Sequence, residues 1–359
     1  MADHQMINHF PNHFQLTRKD LLYKNLRRYR KEQEKEGNAL YQQDAGRGLN
    51  FEFCPLSFIL PADYSLFVEE FRKNPTMKWI MKPAGKCQGI GVYIITNLKQ
   101  TRKFAQQSEL NFFQRMENHV ISQYIDQPLL VGGKKFDLRL YVLVTSYKPL
   151  RCFKYRHGFA RFCTVNYSNE VSEIDNQLIH LTNVAVQKHG EGYNSLHGGK
   201  LHVEKLALYM LANFGREASE RCWEGVDAMI VQSLKACQSV IHSDKHCFEC
   251  YGFDILLDSN LRPWLIEVNA SPSLSGTTEN DRSLKNKLIH DVLNLVIPPD
   301  FPDGRLDTES FRDETGKISR PLGDFTLLYD EEEEKLQQQR DNEQKRRSGR
   351  RYSTSGRLV

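Results

Sequence analysis

Long apolar runs are missing from this 359-residue chain. No stretch approaches 18 residues, and the opening Met-Ala-Asp-His-Gln has no signal-peptide hydrophobic region, so no membrane association is expected. Charge of one sign is scarce too: 49 Lys and Arg stand against 45 Asp and Glu. The resulting net charge of +4 is too small to argue for nucleic acid and is compatible with an acidic protein partner. Cysteine amounts to eight residues without framework spacing, which suggests reduced thiols in a cytosolic setting. Cys247-Phe-Glu-Cys250 matches C-x-x-C, but no second pair accompanies it, and residues three apart on a strand face opposite ways. No His-Glu-x-x-His pairing, Gly-x-Ser-x-Gly elbow or protease-type cysteine occurs, which leaves zinc and serine hydrolases unsupported. With 40% hydrophobic and 26% charged residues and no internal repeat, the chain reads as one large or two to three smaller globular domains.

The elements follow from periodicity. Thr17-Arg-Lys-Asp20 reads as a capping box ahead of a basic helix to about residue 36, and 39–50 as loop. Helices are expected over 63–73, 98–107, 203–214, 219–243 and 281–295, with 109–118 ambiguous. Strands are expected over 78–83, 92–96, 119–125, 135–147 and 151–165. Along 135–147, Phe136, Leu138, Leu140, Val142 and Val144 face one way, and Asp137, Arg139, Tyr141 and Leu143 the other. Asp330–Glu334 followed by basic 340–351 makes a charge-segregated tail, disordered or a lone helix.

Chemistry concentrates in 251–269. Two apolar runs flank Asp258-Ser-Asn-Leu261, which predicts a hairpin; with Ser259 and Asn260 as its turn, Asp254 faces Leu265. Leu265, Glu267 and Asn269 then share the face of Asp254, with Glu267 its diagonal neighbour. Two carboxylates and an amide are hard oxygen ligands of the kind Mg²⁺ accepts. Lys82 ends a strand before a turn holding Gly85, Gly89 and Gly91, where backbone N–H groups can lie against phosphate oxygens; a plain glycine-rich loop reads equally well. Lys135, Asp137 and Arg139 project from one side of their strand. With Lys82 and the Asp254 group they supply cations for phosphates and anions for metal, the parts needed for phosphoryl transfer. The 123–126 segment ends a strand where an adenine can sit, and reads equally as an ordinary buried strand. His180-Leu-Thr182-Asn183 reads first as a turn or cap, and otherwise as a phosphate or metal contact through its hydroxyl and amide. Arg161, flanked by apolar residues, calls for a carboxylate, either structural or a substrate's.

Lys82-Pro with Gln88-Gly-x-Gly91, Gln123-Tyr-Ile, Lys135-Phe-Asp-Leu-Arg, His180-Leu-Thr-Asn183 and Phe253-Asp…Glu267-Val-Asn-x-Ser-Pro272 resemble, in order, the motifs of the tubulin–tyrosine-ligase-like family. Asn8-His-Phe-Pro-Asn12 through Arg30 resembles its polyglutamylase branch. The resemblance implies an α/β (α+β) ATP-grasp fold with an incomplete amino-terminal subdomain. Residues 1–75 would be that remnant, 76–130 the central subdomain, 131–299 the carboxy-terminal subdomain with the metal site, and 300–359 a largely disordered tail. It implies that Lys82, Gln88, Gly89, Lys135, Phe136, Asp137, Thr182 and Asn183 contact ATP, and that Gln123, Tyr124, Ile125 and Asp126 hold the adenine. Asp254, Glu267 and Asn269 would bind Mg²⁺, while Arg139, with Lys135 and Glu267, would serve the transferring phosphoryl group. Gln88, Arg161 and Lys200 would meet the substrate amino acid. The implied activity is ATP-dependent addition of free glutamate to glutamate side chains in tubulin tails, in the cytoplasm on the cytoskeleton, at a cilium or flagellum. Partner subunits would assist targeting. A microtubule scaffold without turnover, and a ligase using another amino acid or another acidic tail, are the alternatives.

Overall fold

The computed structural model describes residues 5–35, 53–109, 117–276, 278–297 and 322–354. The loop expected at 39–50 and most of the ambiguous 109–118 lie outside these residues. Two antiparallel sheets organise the described chain. The smaller runs in the order Ser57–Leu60 (β1), His119–Gln123 (β4), Trp79–Pro83 (β2) and Tyr93–Ile95 (β3). The larger runs Pro263–Asn269 (β11), Glu249–Leu257 (β10), Lys134–Tyr147 (β6), Leu150–Tyr155 (β7) and Phe325–Asp330 (β12). Leu130–Val131 (β5) pairs with the start of β6, as does Phe159–Phe162 (β8), which carries Lys200–His202 (β9) on its far side. The span expected as one strand over 151–165 is thus two, β7 and β8, which take successive stretches of β6. Mixed α/β content with antiparallel sheets agrees with the ATP-grasp expectation.

Alternation along β6 sets the layers. Its Phe136, Leu138, Leu140, Val142 and Val144 enter a core shared with Lys19–Lys35 (α2), Val203–Phe214 (α6) and Arg216–Gln238 (α7). Cys222, Val226, Met229, Ile230, Leu234 and Cys237 of α7 repeat at three- and four-residue spacing, the apolar stripe of an amphipathic helix. Tyr141 and Leu143 point the other way, into a second core under Glu279–Val296 (α8) with Leu284, Leu288, Val292 and Leu295. Cys247 lies in the first of these cores and Cys250 packs against the second. The smaller sheet packs Trp79 and Phe58 against Phe67 of Tyr64–Lys73 (α3), with ring centroids 5.3 to 5.9 Å apart.

Two local expectations are corrected. Thr17 does not cap α2: its hydroxyl donates to the His13 carbonyl, and Asp20 accepts from Arg18 and Asn118 instead. The tail, expected as disorder or a lone helix, holds the helix Glu331–Thr354 (α9), the second of those readings, but also the strand β12 ahead of it, which neither reading included. Buried Arg151 on β7 reaches Asp330 at 2.8 Å and Glu332 at 3.2 Å, so a distant strand supplies the order that the polar composition concealed. Among the described residues no helix is long and apolar enough to cross a membrane.

Candidate active site

Between the two sheets lies a cleft walled by residues of both. Lys82, Gln88, Gly89, Gln123, Tyr124, Ile125, Lys135, Asp137, Thr182, Asn183, Asp254 and Glu267 all line it. Asp126, Arg139, Arg161, Lys200 and Asn269 stand outside that lining, and Phe136 points away into the core beneath the sheet. Strand alternation dictates the last placement: Phe136 sits between Lys135 and Asp137, so its side chain leaves on the other face.

The acidic group arises from a register the sequence did not disclose. Asp258 organises a turn longer than two residues. Its carboxylate accepts from the N–H groups of Asn260 and Arg262 and from the Trp264 indole, and Leu261 adopts φ 62°. Leu257 therefore pairs with Pro263 and Ile255 with Leu265. A bulge at the next step then makes Asp254 pair directly with Glu267. Turn and bulge each slip the register by one. Two slips restore the face, so Glu267 stays beside Asp254 while Leu265 turns into the core. Both the expected Asp254–Leu265 pair and the diagonal relation of Glu267 are thus replaced by a direct pair, with side chains closer than predicted.

Asp254 is fully buried and held by two guanidiniums. Arg139 grips it at 2.6 Å and 2.9 Å, and Arg161 reaches it at 2.8 Å while also binding Asp137. Burial alone would raise its pKa, but the two guanidiniums outweigh that and hold the carboxyl far below the usual range. Arg161 has therefore found structural carboxylates, and its other assigned partner, a substrate's carboxylate, must compete with them. Asn269 donates weakly to Asp254 at 3.4 Å, placing its amide beside the pair. Glu267 meets Lys19 at 3.0 Å, and that lysine also donates to the Lys86 carbonyl. Lys19 was missed because nothing in a basic helix signals contact with a strand some 250 positions later.

Facing these acids are two buried lysines. Burial pushes the Lys82 ammonium down to about 8, against the pull of Glu267 and helped by repulsion from Lys19 and Lys135. Burial lowers Lys135 as well; it donates to Tyr124 at 3.2 Å and to the His180 carbonyl at 3.0 Å. Tyr124 also bonds His180 Nδ1 at 2.8 Å, so this histidine, also absent from the sequence assignment, fixes the wall of the cleft. Ile80, Tyr124 and Leu181 of the cleft lining pack with buried Ile94 into one apolar cluster, which gives this part of the cleft an apolar wall. The N–H groups of Gln123 and Tyr124 are already donated to Leu56 and Lys78, which leaves ring recognition to carbonyls and to the residues after them. Gln88 and Gly89 follow each other at φ 59° and 80°. A Cβ at Gly89 would come within 3.2 Å of Asn183, so glycine is what lets this turn close over the cleft.

Asp254 and Glu267 pair directly on the cleft wall opposite the lysines, and Asn269 beside them turns its amide nitrogen toward Asp254; carboxylate and amide oxygens are a donor set that suits Mg²⁺ rather than a thiophilic metal. A second cluster was passed over in the sequence, where His9 and His13 stand four apart. They meet Glu249 with ligand atoms within 4.8 Å of one another. His9 lies 2.8 Å from one Glu249 oxygen, and Phe10 N–H and the Tyr251 hydroxyl take the other, so this buried carboxylate serves as the anchor of the amino-terminal segment.

Residues 1–304 match the Tubulin-tyrosine ligase family. The chain belongs to that family. Over 335 residues it is 48% identical to "Probable alpha-tubulin polyglutamylase Ttll1" of Tetrahymena thermophila, covering 92% of this chain and 80% of that protein. It is 42% identical over 325 residues to "Probable tubulin polyglutamylase TTLL9" of Bos taurus, covering 82% and 69%. Human "Tubulin polyglutamylase TTLL5" is 36% identical over 311 residues, covering 82% of this chain and 22% of its own length. The family resemblance inferred from the ordered motifs is therefore borne out.

Proposed function

We propose that this protein is an ATP-dependent tubulin polyglutamylase, joining free glutamate to γ-carboxylates of glutamates in tubulin tails on cytoskeletal, ciliary microtubules. The observation that carries this reading is the direct Asp254–Glu267 pair on the same cleft as Lys82 and Lys135. Relatives named as tubulin polyglutamylases support the substrate. ATP transfers its γ-phosphoryl group to the acceptor carboxylate, releasing ADP. The α-amine of free glutamate attacks the acyl phosphate, phosphate leaves, and an isopeptide bond forms. No protein nucleophile is required. Mg²⁺, held by Asp254, Glu267 and Asn269, would neutralise charge on the phosphate oxygens. Lys82 and Lys135 hold the phosphates by charge, Gln88 and Gly89 cover them, and the 123–126 segment with Ile80 and Leu181 receives the adenine. Arg139 sits one strand from the acids, where it steadies Asp254 and stands beside the transferring group. Arg161 is the donor-carboxylate ligand in this reading, exchanging part of its hold on Asp137 or Asp254.

Glutamate is the expected donor, with glycine incorporated at least tenfold less efficiently by kcat/KM, because a cationic pocket leaves glycine's missing carboxylate uncompensated. Equal incorporation of labelled glycine and glutamate into tubulin overturns the donor assignment. The low Lys82 pKa gives a pH signature. The ammonium is mostly charged at pH 7 and mostly neutral at pH 9. If only the charged form binds a triphosphate, affinity falls by about tenfold across that interval. Calorimetric titration of ATP against the chain and against Lys82→Met measures it; a flat wild-type profile rejects the role. An ATP-grasp shell without turnover is the second reading, favoured by the ion pairs that already occupy Asp254 and Glu267. Incorporation by the chain alone, compared with incorporation after co-expression with axonemal partners, separates the two.

A further inference from the structure

Asp281 is a fully buried carboxylate just inside the start of α8, three residues after the N-cap Thr278, whose side chain accepts the Asp281 N–H. Asp281 stands at the acidic place of a capping box, from which a carboxylate ordinarily reaches back to the N-cap N–H. The carboxylate instead draws two lysines together. Lys200 lies 2.7 Å away and Lys285 3.0 Å away, and Lys285 also donates to the Ser275 carbonyl at 2.6 Å. Lys200 is the register partner of Arg161 across β8 and β9, so the two cations stand side by side on the sheet face that carries Asp137 and Asp254. The Lys200 ammonium also sits 5.2 Å over the Phe159 ring, which limits where it can swing.

We propose that Asp281 is a positioning residue for the donor amino acid: it fixes the Lys200 ammonium beside Arg161, so that the two cations together receive the carboxylates of an α-amino dicarboxylate. This rests on the ligase reading above. Two lysines and one aspartate leave one net positive charge at this end of the site, matched to a second carboxylate. Burial lowers the Lys285 pKa, and the Asp281 carboxylate beside it opposes that shift.

The sign of one substitution separates positioning from simple charge cancellation. Asp281→Asn adds net positive charge, which by itself would tighten carboxylate binding and lower KM for glutamate. Loss of positioning raises it instead. The expected result is a rise of about tenfold or more in KM for glutamate, with kcat changed less than threefold and KM for ATP unchanged. Asp281→Glu, which keeps the charge but displaces it by one methylene, is expected to restore at least half of the loss. It serves as the second variant if Asp281→Asn does not fold. Calorimetric binding of glutamate to the full chain with a non-hydrolysable ATP analogue reads the same effect without turnover. An unchanged or lower KM for glutamate, or an equal rise in KM for ATP, overturns the proposal. Wild-type chain that neither incorporates nor binds glutamate overturns the ligase reading, and this inference with it.

Discussion

Glu267→Gln is expected to reduce glutamate incorporation into tubulin below detection, a loss beyond about 10³-fold, while the chain stays folded. The substitution is nearly isosteric and removes one negative charge from the Asp254–Glu267 pair, where Mg²⁺ and the phosphate charge converge in the proposed reaction. Its structural cost is modest. Glu267 lies at the cleft wall with side-chain exposure of 17%, beside a Lys19 that is 12% exposed. The glutamine carbonyl still accepts from that lysine, so what is lost is the charge-assisted part of one hydrogen bond, about 1–2 kcal/mol. Thermal unfolding should therefore move by only a few degrees while radiolabelled glutamate incorporation disappears. Wild-type incorporation by this variant removes the metal assignment and the ligase reading together.

Asp254→Asn, at the register partner of Glu267, is expected to behave differently because it also damages the fold. Arg139 and Arg161 both point into this buried carboxylate. Removing its charge leaves Arg139 without its bidentate partner and Arg161 with Asp137 alone, in a place water reaches poorly. Breaking a buried pair from one side costs about 3–5 kcal/mol. Denaturant unfolding should show a loss of that size together with loss of activity. The acid limb should change as well. Because the folded-state pKa lies below the unfolded value, Asp254 contributes stability above the unfolded pKa that is lost as pH falls through the folded one. The variant lacks that contribution, so its stability should fall less steeply at low pH. A loss under about 1 kcal/mol would mean that the guanidiniums are compensated elsewhere and that the ion-pair account is wrong.

Sequence by itself determined which residue types this protein brings to its site and on which side of β6 they stand. Alternation is a local property of the backbone, so Asp137 and Arg139 facing away from Phe136 and Leu138 followed from spacing alone. The ordered motifs carried the family for the same reason: each is a short stretch whose chemistry can be read in place. Only the tertiary structure decided how those stretches meet. The Asp258 turn and the bulge after Asp254 each moved the hairpin register by one, and hydrogen bonds to one carboxylate, invisible to periodicity, set the first of these. Lys19 reaching Glu267, Arg161 shared between two aspartates, Asp281 holding two lysines, and β12 closing onto β7 are contacts across long separations, and nothing local encodes them. A charge in a sequence calls for a partner, but burial and distance, which belong to the folded chain, choose which one it finds.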